Sequence, residues 1–239
     1  MVWKAEEIPS RLRVASVVGK RTDREANELI LKVEERRSSD GSEIPLFISD
    51  NLDNYTHALL NVYGERVKPP KKRGRRGRPR KKPIVRPPHN LLYGQVVKHR
   101  DKHGRITSIE RRVVFGTAKR IKAKLAQAGG CYTTISTAHV ERDNLTARQT
   151  SSRLVREALS FSKKMEALRW HTALDDLTYN LSRYHSSLRV RLKRPQPTRG
   201  RKGSPKKWIQ RTPAMAAGST DHRWTMEELM TYPIIKPYR

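Results

Sequence analysis

Cysteine occurs once in the 239 residues, at Cys131, which excludes a disulfide framework and a zinc site built on clustered thiolates. No apolar run approaches the length of a membrane-spanning helix, and the opening "MVWKAEEIPS" lacks a signal peptide's apolar core. No membrane partner is expected, and the expected location is the cytoplasm, with the nucleoid. Acids are scarce: 23 Asp and Glu face 52 Lys and Arg, a formal net charge of +29. That excess is far beyond what solubility requires and points to a polyanionic partner. There is no Gly-x-Ser-x-Gly elbow, P-loop or dinucleotide fingerprint, and no His stands convincingly beside Cys131. Nucleophilic hydrolases and nucleotide-cofactor enzymes therefore drop out. Aromatic residues make up 6% of the chain and form no stacking platform of the kind single-stranded RNA readers use.

What remains is a modest core with long solvated segments. "RLRVASVVG", Arg11 to Gly19, reads as a strand entering a sheet, with "VWKAEEI" before it as a candidate hairpin partner. Thr22 and Glu25 are spaced as a capping box, and Ala26, Leu29, Ile30 and Val33 follow at helical spacing. "EIPLFIS", Glu43 to Ser49, fits a buried strand, and Tyr55, Ala58, Leu59 and Val62 fit a helix stopped by Gly64. "LLYGQVVKHRDKHGRITSIERRVVFG" reads as a hairpin turning at "RDKHG". "TAKRIKAKLAQAGG" reads as a short helix capped by Thr117 and stopped by Gly129. Its apolar side is Ile121 and Leu125; its cationic side is Lys119, Arg120, Lys122 and Lys124.

Residues His139 to Leu181 read as mostly helical, with Trp170, Leu174, Leu177 and Leu181 in one stripe that is most simply core. From Arg189 the chain is again basic and rich in Pro and Gly until "TMEELM", where Thr225 and Glu228 cap a last short helix. Between the ordered stretches, "KPPKKRGRRGRPRKKPIVRPP", Lys68 to Pro88, contains no acid and too little apolar surface to fold alone. It reads as a disordered or extended basic loop. Within it Arg76, Gly77, Arg78 and Pro79 resemble the core of an AT-hook, whose arginines lie in a narrow minor groove; plain phosphate binding is the alternative.

"FISDNLDNYTHAL", Phe47 to Leu59, runs a short apolar segment into Asp50. Aspartate is ordinary in a turn after a buried strand. At a strand end beside nucleic acid it can equally be a metal ligand, because hard carboxylate oxygens suit Mg²⁺ and two such ions can flank a phosphodiester. Glu141, near a helix start, is the acid that could converge with it; an exposed helical glutamate is the other reading.

"HVERDNLTARQTSSRLVREALSFSK", His139 to Lys163, resembles the carboxyl-terminal signature of DDE transposases of bacterial and archaeal insertion sequences, of the insertion-sequence-one type. The matching residues are Glu141, Asn144, Leu145, Arg148, Phe161, Ser162 and Lys163. Asp50 with Tyr55 matches the family's second aspartate, and "YNLSRYHSSL", Tyr179 to Leu188, resembles a motif that closes related integrase cores. The resemblance runs from about Arg11 to Leu188. It implies an α/β fold, an α+β mixed sheet of five strands in a ribonuclease-H-like core, with a basic disordered insertion and tail. The implied parts are a first core segment over 1–66, a basic insertion over 67–89, a second core segment over 90–190 and a basic extension over 191–239.

The resemblance further implies that Asp50 and Glu141 are catalytic metal ligands for two Mg²⁺ (or Mn²⁺) ions in the complete site. Arg148 is implied to contact the transposon end; Arg142, Lys163, Lys122, Arg76 and Arg78 are the other expected DNA contacts. The implied partners are double-stranded DNA, as transposon ends and target, and further copies of the chain when paired ends are bound. The family's first aspartate has no counterpart here, since Asp23 stands at a helix start and Asp40 in a turn. The expectation is a chain lacking the first sheet strand, with weak or no strand transfer alone. A non-catalytic basic DNA-binding protein is the competing reading.

Overall fold

The computed structural model describes residues 1–37, 43–68, 83–128, 133–155, 159–197 and 204–232. Cys131, Gly129, Arg76 and Arg78 lie outside them, so the AT-hook-like segment does too. The protein is a mixed α+β chain with a mixed sheet and several helices. It divides into two compact units: Met1–Trp3 with Gly19–Arg142, and Lys4–Val18 with Asp143–Arg239. No helix among the described residues is long and apolar enough to cross a membrane.

The alternation near the start yields strands β1 (Val2–Glu7) and β2 (Leu12–Val18), which pair with each other. In the first unit Trp3 is buried, its indole N–H donating to Lys20 O at 3.0 Å. Helix α1 (Asp23–Glu35) buries Ala26, Leu29 and Ile30, as their spacing predicts. Thr22 is its N-cap residue, but the Thr22 hydroxyl bonds the Glu25 carboxylate, so the spaced pair closes through side chains. Strand β3 (Leu46–Asp50) leads into α2 (Asp53–Tyr63), which packs on α1 with the Tyr63 hydroxyl donating to Glu34 at 2.7 Å. Gly64 ends α2 in an extended conformation; a Cβ there would sit 2.2 Å from Leu60 O, so close backbone approach is what requires glycine.

Short strands β4 (Glu65–Val67) and β5 (Ile84–Arg86) pair antiparallel, bringing the two ends of the basic segment together. Strands β6 (Leu92–Arg100) and β7 (Ile106–Phe115) form the expected hairpin, with Gly104 in its turn at φ 79°. The sheet order is β3-β6-β7, parallel then antiparallel. Thus among the described residues the mixed sheet has three strands, where the resemblance implies five, the first of them expected to be absent from this chain, and β3 lies at its edge. That position explains why β3, expected to be buried, is only half-buried.

Helices flank this sheet on both faces. On one, Phe47 meets Tyr63 of α2 at 5.7 Å between ring centres. On the other, Leu92 and Val96 pack with Ile121 and Leu125 of α3 (Ala118–Gln127) and with Ile135, joined by Leu46, Ile48 and Val113. Fully burying a large aliphatic side chain contributes about 1.5–3 kcal/mol, so Leu92, Val96, Ile121 and Leu125 each stabilise this layer.

Helix α4 (Ala138–Thr150) is divided between the two units; after a 3₁₀ turn at Ser152–Leu154, the second unit continues with α5 (Met165–Leu177). The apolar stripe on α5 is not core. Trp170 is 71% exposed, Leu174 and Leu177 are exposed and Leu181 is half-buried, while Thr172, Asp175 and Asp176 face inward. The inward face is polar because it meets a buried cation, described below.

The described part of the tail is ordered, contrary to the expectation of a disordered extension. It carries β8 (Val190–Gln196), β9 (Lys206–Ile209), α6 (Pro213–Ala216) and α7 (Met226–Thr231). Thr212 is buried and caps α6, accepting from Met215 N at 3.2 Å, with Pro213 and Ala214 buried behind it. That anchor orders a segment whose composition alone reads as a solvated tail. Thr225 and Glu228 form the reciprocal capping box expected of α7.

Candidate metal and DNA site

Residue alternation along β3 places Asp50 on the face of Leu46 and Ile48, at the strand's carboxyl end. The partner strand runs parallel, pairing Asp50 with Val96, and Lys98 follows two residues later on the same face of β6. A Cβ at Gly94 would lie 2.8 Å from Ile135 Cδ1, so glycine lets Ile135 seat against β6. Arg111 of β7 ties down the same segment, donating to Ile135 O at 3.0 Å. Six residues further on, Glu141 stands in the first turn of α4.

Glu141 is held from two sides. Thr137 Oγ1 donates to its Oε1 at 2.6 Å, and Lys98 Nζ forms an ion pair with the same oxygen. Burial opposes ionisation, but the bonds from Lys98 and Thr137, with the charges of Lys98 and Arg100, hold the carboxyl below the usual glutamate range. Asp50 behaves oppositely. Although exposed as a residue, its carboxyl loses enough hydration to be pushed up; the Glu141 charge adds to the rise, while Arg21 and Lys98 oppose it. The Glu141 charge thus bears on Asp50 within one unit, with Lys98 acting on both acids, Arg21 on Asp50 and Arg100 on Glu141. Tyr55, the aromatic in the helix after Asp50, packs edge-on against Trp3 at 5.4 Å, and burial followed by the Asp50 charge pushes its hydroxyl up.

Among the described residues no group of three His, Cys, Asp or Glu gathers to hold a metal ion. By donor type, carboxylates such as Asp50 and Glu141 suit Mg²⁺, which commonly keeps several waters and takes only one or two protein carboxylates. A two-ion site requires a further acid beside Asp50 and Glu141.

Arg142 and Arg148 are exposed on α4, Lys122 is exposed on α3, and Lys163 is exposed just before α5. On α3, Arg120 donates to His89 O and Lys124 pairs with Glu43, so that cationic side is partly tied to its own unit.

Sequence reasoning passed over a second acidic group, in the second unit. Asp143 is buried and accepts from Arg13 Nε at 2.8 Å and from a terminal guanidinium nitrogen at 2.7 Å. Arg13 also reaches Asp175 at 2.8 Å and Asp176 at 3.2 Å, and lies 3.9 Å over the Tyr179 ring. Lys4 approaches Asp143 at 3.5 Å and Asp176 at 3.8 Å. Asn180, inside the motif Tyr179 to Leu188, accepts from Arg13 N and donates to Arg13 O, both at 3.0 Å, in the manner of a neighbouring strand. Beside them, burial and then the Asp143 charge push Glu6 up to about 7, and its Oε2 has no hydrogen-bond partner among the described residues. Lys98 and Arg13 both stand in strands whose apolar neighbours suggested core, and no local spacing marks either as the partner of an acid so distant in sequence.

No family model, curated protein or solved structure matches this chain.

Proposed function

We propose that the protein is a DDE-type DNA transposase with a ribonuclease-H-like core, acting at the ends of a mobile element and on target DNA. The observation that carries this reading is the placement of two acids in one unit, Asp50 at the end of β3 and Glu141 in the first turn of α4, with the Glu141 charge among the causes that raise the Asp50 carboxyl. The resemblance of His139–Lys163 to the family signature and the +29 charge support it from the sequence side. In this reading water attacks a phosphorus at the element's end, the P–O3′ bond breaks, and the freed 3′-hydroxyl then displaces a target-strand 3′-oxygen. No covalent bond to the protein forms.

Asp50 and Glu141 would hold Mg²⁺ or Mn²⁺, which supplies charge neutralisation at the phosphate and a more acidic water. The protein's own part is to orient. Lys98 and Thr137 favour the ionised form of Glu141 and hold it in place. Arg142 and Arg148, on the same helix, would grip the phosphates of the transposon end, with Lys122 and Lys163 adding sequence-independent affinity. The complete two-ion site would take a third acid, and copies of the chain would meet on paired ends.

A non-catalytic DNA-binding protein is the second reading, favoured by one observation: Lys98 already neutralises Glu141, as a cation does in a purely structural ion pair. The two readings separate in a cleavage assay on duplex DNA carrying the element's ends with Mg²⁺ or Mn²⁺. The transposase reading expects metal-dependent 3′-hydroxyl ends that vanish in Asp50→Ala and Glu141→Ala. Equal DNA binding with no cleavage in any variant would leave the binding protein.

A further inference from the structure

We propose that the β8–β9 ribbon is a DNA-contacting arm that lies in the major groove of a duplex. The inference takes from the preceding reading only that the chain meets double-stranded DNA, and none of it depends on Asp50 or Glu141.

The ribbon has an uncommon combination of features. Its strands pair antiparallel, with Val190 opposite Ile209, Arg191 opposite Trp208 and, past an irregular step, Gln196 opposite Lys206. Every residue of both strands is exposed except Leu192, which is half-buried. A two-stranded ribbon with both faces in water is marginal by itself, so its order must come from its base or from a partner. The base is fixed: His185 N donates to Arg211 O at 3.0 Å, Arg211 Nε donates to Leu188 O at 2.9 Å, and Leu188 and Thr212 are buried. What projects beyond that clamp is free to meet a ligand.

Charge decides the ligand. No acid occurs between Asp176 and Asp221, a stretch that includes the whole ribbon. The Arg191–Trp208 pairing puts those two side chains on one face, and alternation along β9 adds Lys206; the exposed Lys193 follows in β8 within the irregular step. Arg189 lies over the Trp208 ring at 4.4 Å. One face is therefore cations around a tryptophan, while Val190, Leu192 and Ile209 lie on the other. The Trp208 ring and Arg189 stack, so this part of the cationic face is held in place instead of waving in solvent. A two-stranded ribbon matches the roughly 12 Å width of the B-DNA major groove, with cations reaching the phosphates on either side. The deep, narrow major groove of A-form RNA does not admit such a ribbon.

The test is binding of a fluorescein-labelled mixed-sequence DNA duplex, followed by anisotropy with EDTA present so that metal-dependent cleavage cannot contribute. Compared with wild type, a ribbon variant combining Arg191→Gln, Lys193→Gln and Lys206→Gln should bind about tenfold or more weakly. Its log Kd against log salt should flatten by about 2.7, near 0.9 for each phosphate no longer neutralised. A variant with equal charge removed elsewhere, combining Lys102→Gln, Arg105→Gln and Lys119→Gln, should change far less. Equal losses in the two variants would reduce the ribbon to bulk charge and overturn the proposal. A second readout needs no substitution: methylating guanine N7, which projects into the major groove, should weaken wild-type binding, and an RNA duplex of the same sequence should bind worse than DNA. Indifference to N7 methylation would overturn the groove assignment. A wild-type chain that binds no duplex would sink the DNA reading itself, whereas failure of the ribbon variant alone leaves the Asp50–Glu141 reading standing.

Discussion

Glu141 and Asp143 stand two residues apart in α4 and have opposite fates. Glu141 points to the exposed edge of a sheet, where Lys98 and Thr137 hold it ionised and Asp50 stands near enough to shift. Asp143 is buried in a cluster in which Arg13 and Lys4 compensate Asp143, Asp175 and Asp176. The difference is one of compensation. Asp143 is filled by a buried guanidinium and is spent on structure, whereas Glu141 is held on one oxygen by a lysine and a threonine, with its side chain half exposed.

The largest effect should come from the buried side. Arg13→Met leaves Asp143, Asp175 and Asp176 without their main counter-charge, and removing one partner of a buried ion pair typically costs about 3–5 kcal/mol. Urea denaturation should show that loss, and a loss below about 1 kcal/mol would break the contrast between the two acidic groups. At the exposed edge the pattern reverses. Asp50→Ala or Glu141→Ala should leave stability within about 0.5 kcal/mol, as surface substitutions do. The same changes should lower metal-dependent cleavage on the order of 10²–10³-fold, the scale seen when a charge-stabilising group is removed.

Glu6 sharpens the comparison through pH. Its folded pKa is raised from 4.5 to about 7, so the protonated acid is the form the folded state prefers. That contribution is fully present below pH 4.5 and is lost as pH rises through about 7, a span worth about 3 kcal/mol. Glu6→Gln imitates the protonated form. It should exceed wild type in stability by about that amount near pH 8 and match it near pH 4, as read by urea midpoints. A gain independent of pH would assign the effect to packing. The smallest expected effect is at Lys98: Lys98→Ala removes the cation that competes for Glu141 Oε1 and should tighten Mn²⁺ binding by up to about fivefold, the scale of an exposed pair worth about 0.2–1 kcal/mol.

Local signals carried the local structure. The Thr225–Glu228 box, the hairpin around Gly104 and the buried stripe of α1 each rest on neighbours a few residues apart. Asp50 at the end of β3 and Glu141 in the first turn of α4 were legible for the same reason. The α5 stripe misleads because periodicity defines a face without saying where it points. Trp170 lies outward because Arg13 draws Asp175 and Asp176 inward, and Arg13 is 162 and 163 residues away from them. Lys98 escaped notice for a similar reason, being 43 residues from Glu141 and linked to it only through sheet register. The tail read as solvated because its composition is basic, while a buried Thr212-Pro213-Ala214 anchor suffices to fix the base of a ribbon.

The most direct test of the central claim is Mn²⁺ binding followed by electron paramagnetic resonance on wild type, Asp50→Ala, Glu141→Ala and the exposed control Asp221→Ala. The account predicts a bound ion in wild type and in Asp221→Ala that is lost or greatly weakened in both other variants. Equal Mn²⁺ binding by all four proteins would contradict it, leaving Glu141 as the partner of Lys98 and nothing more.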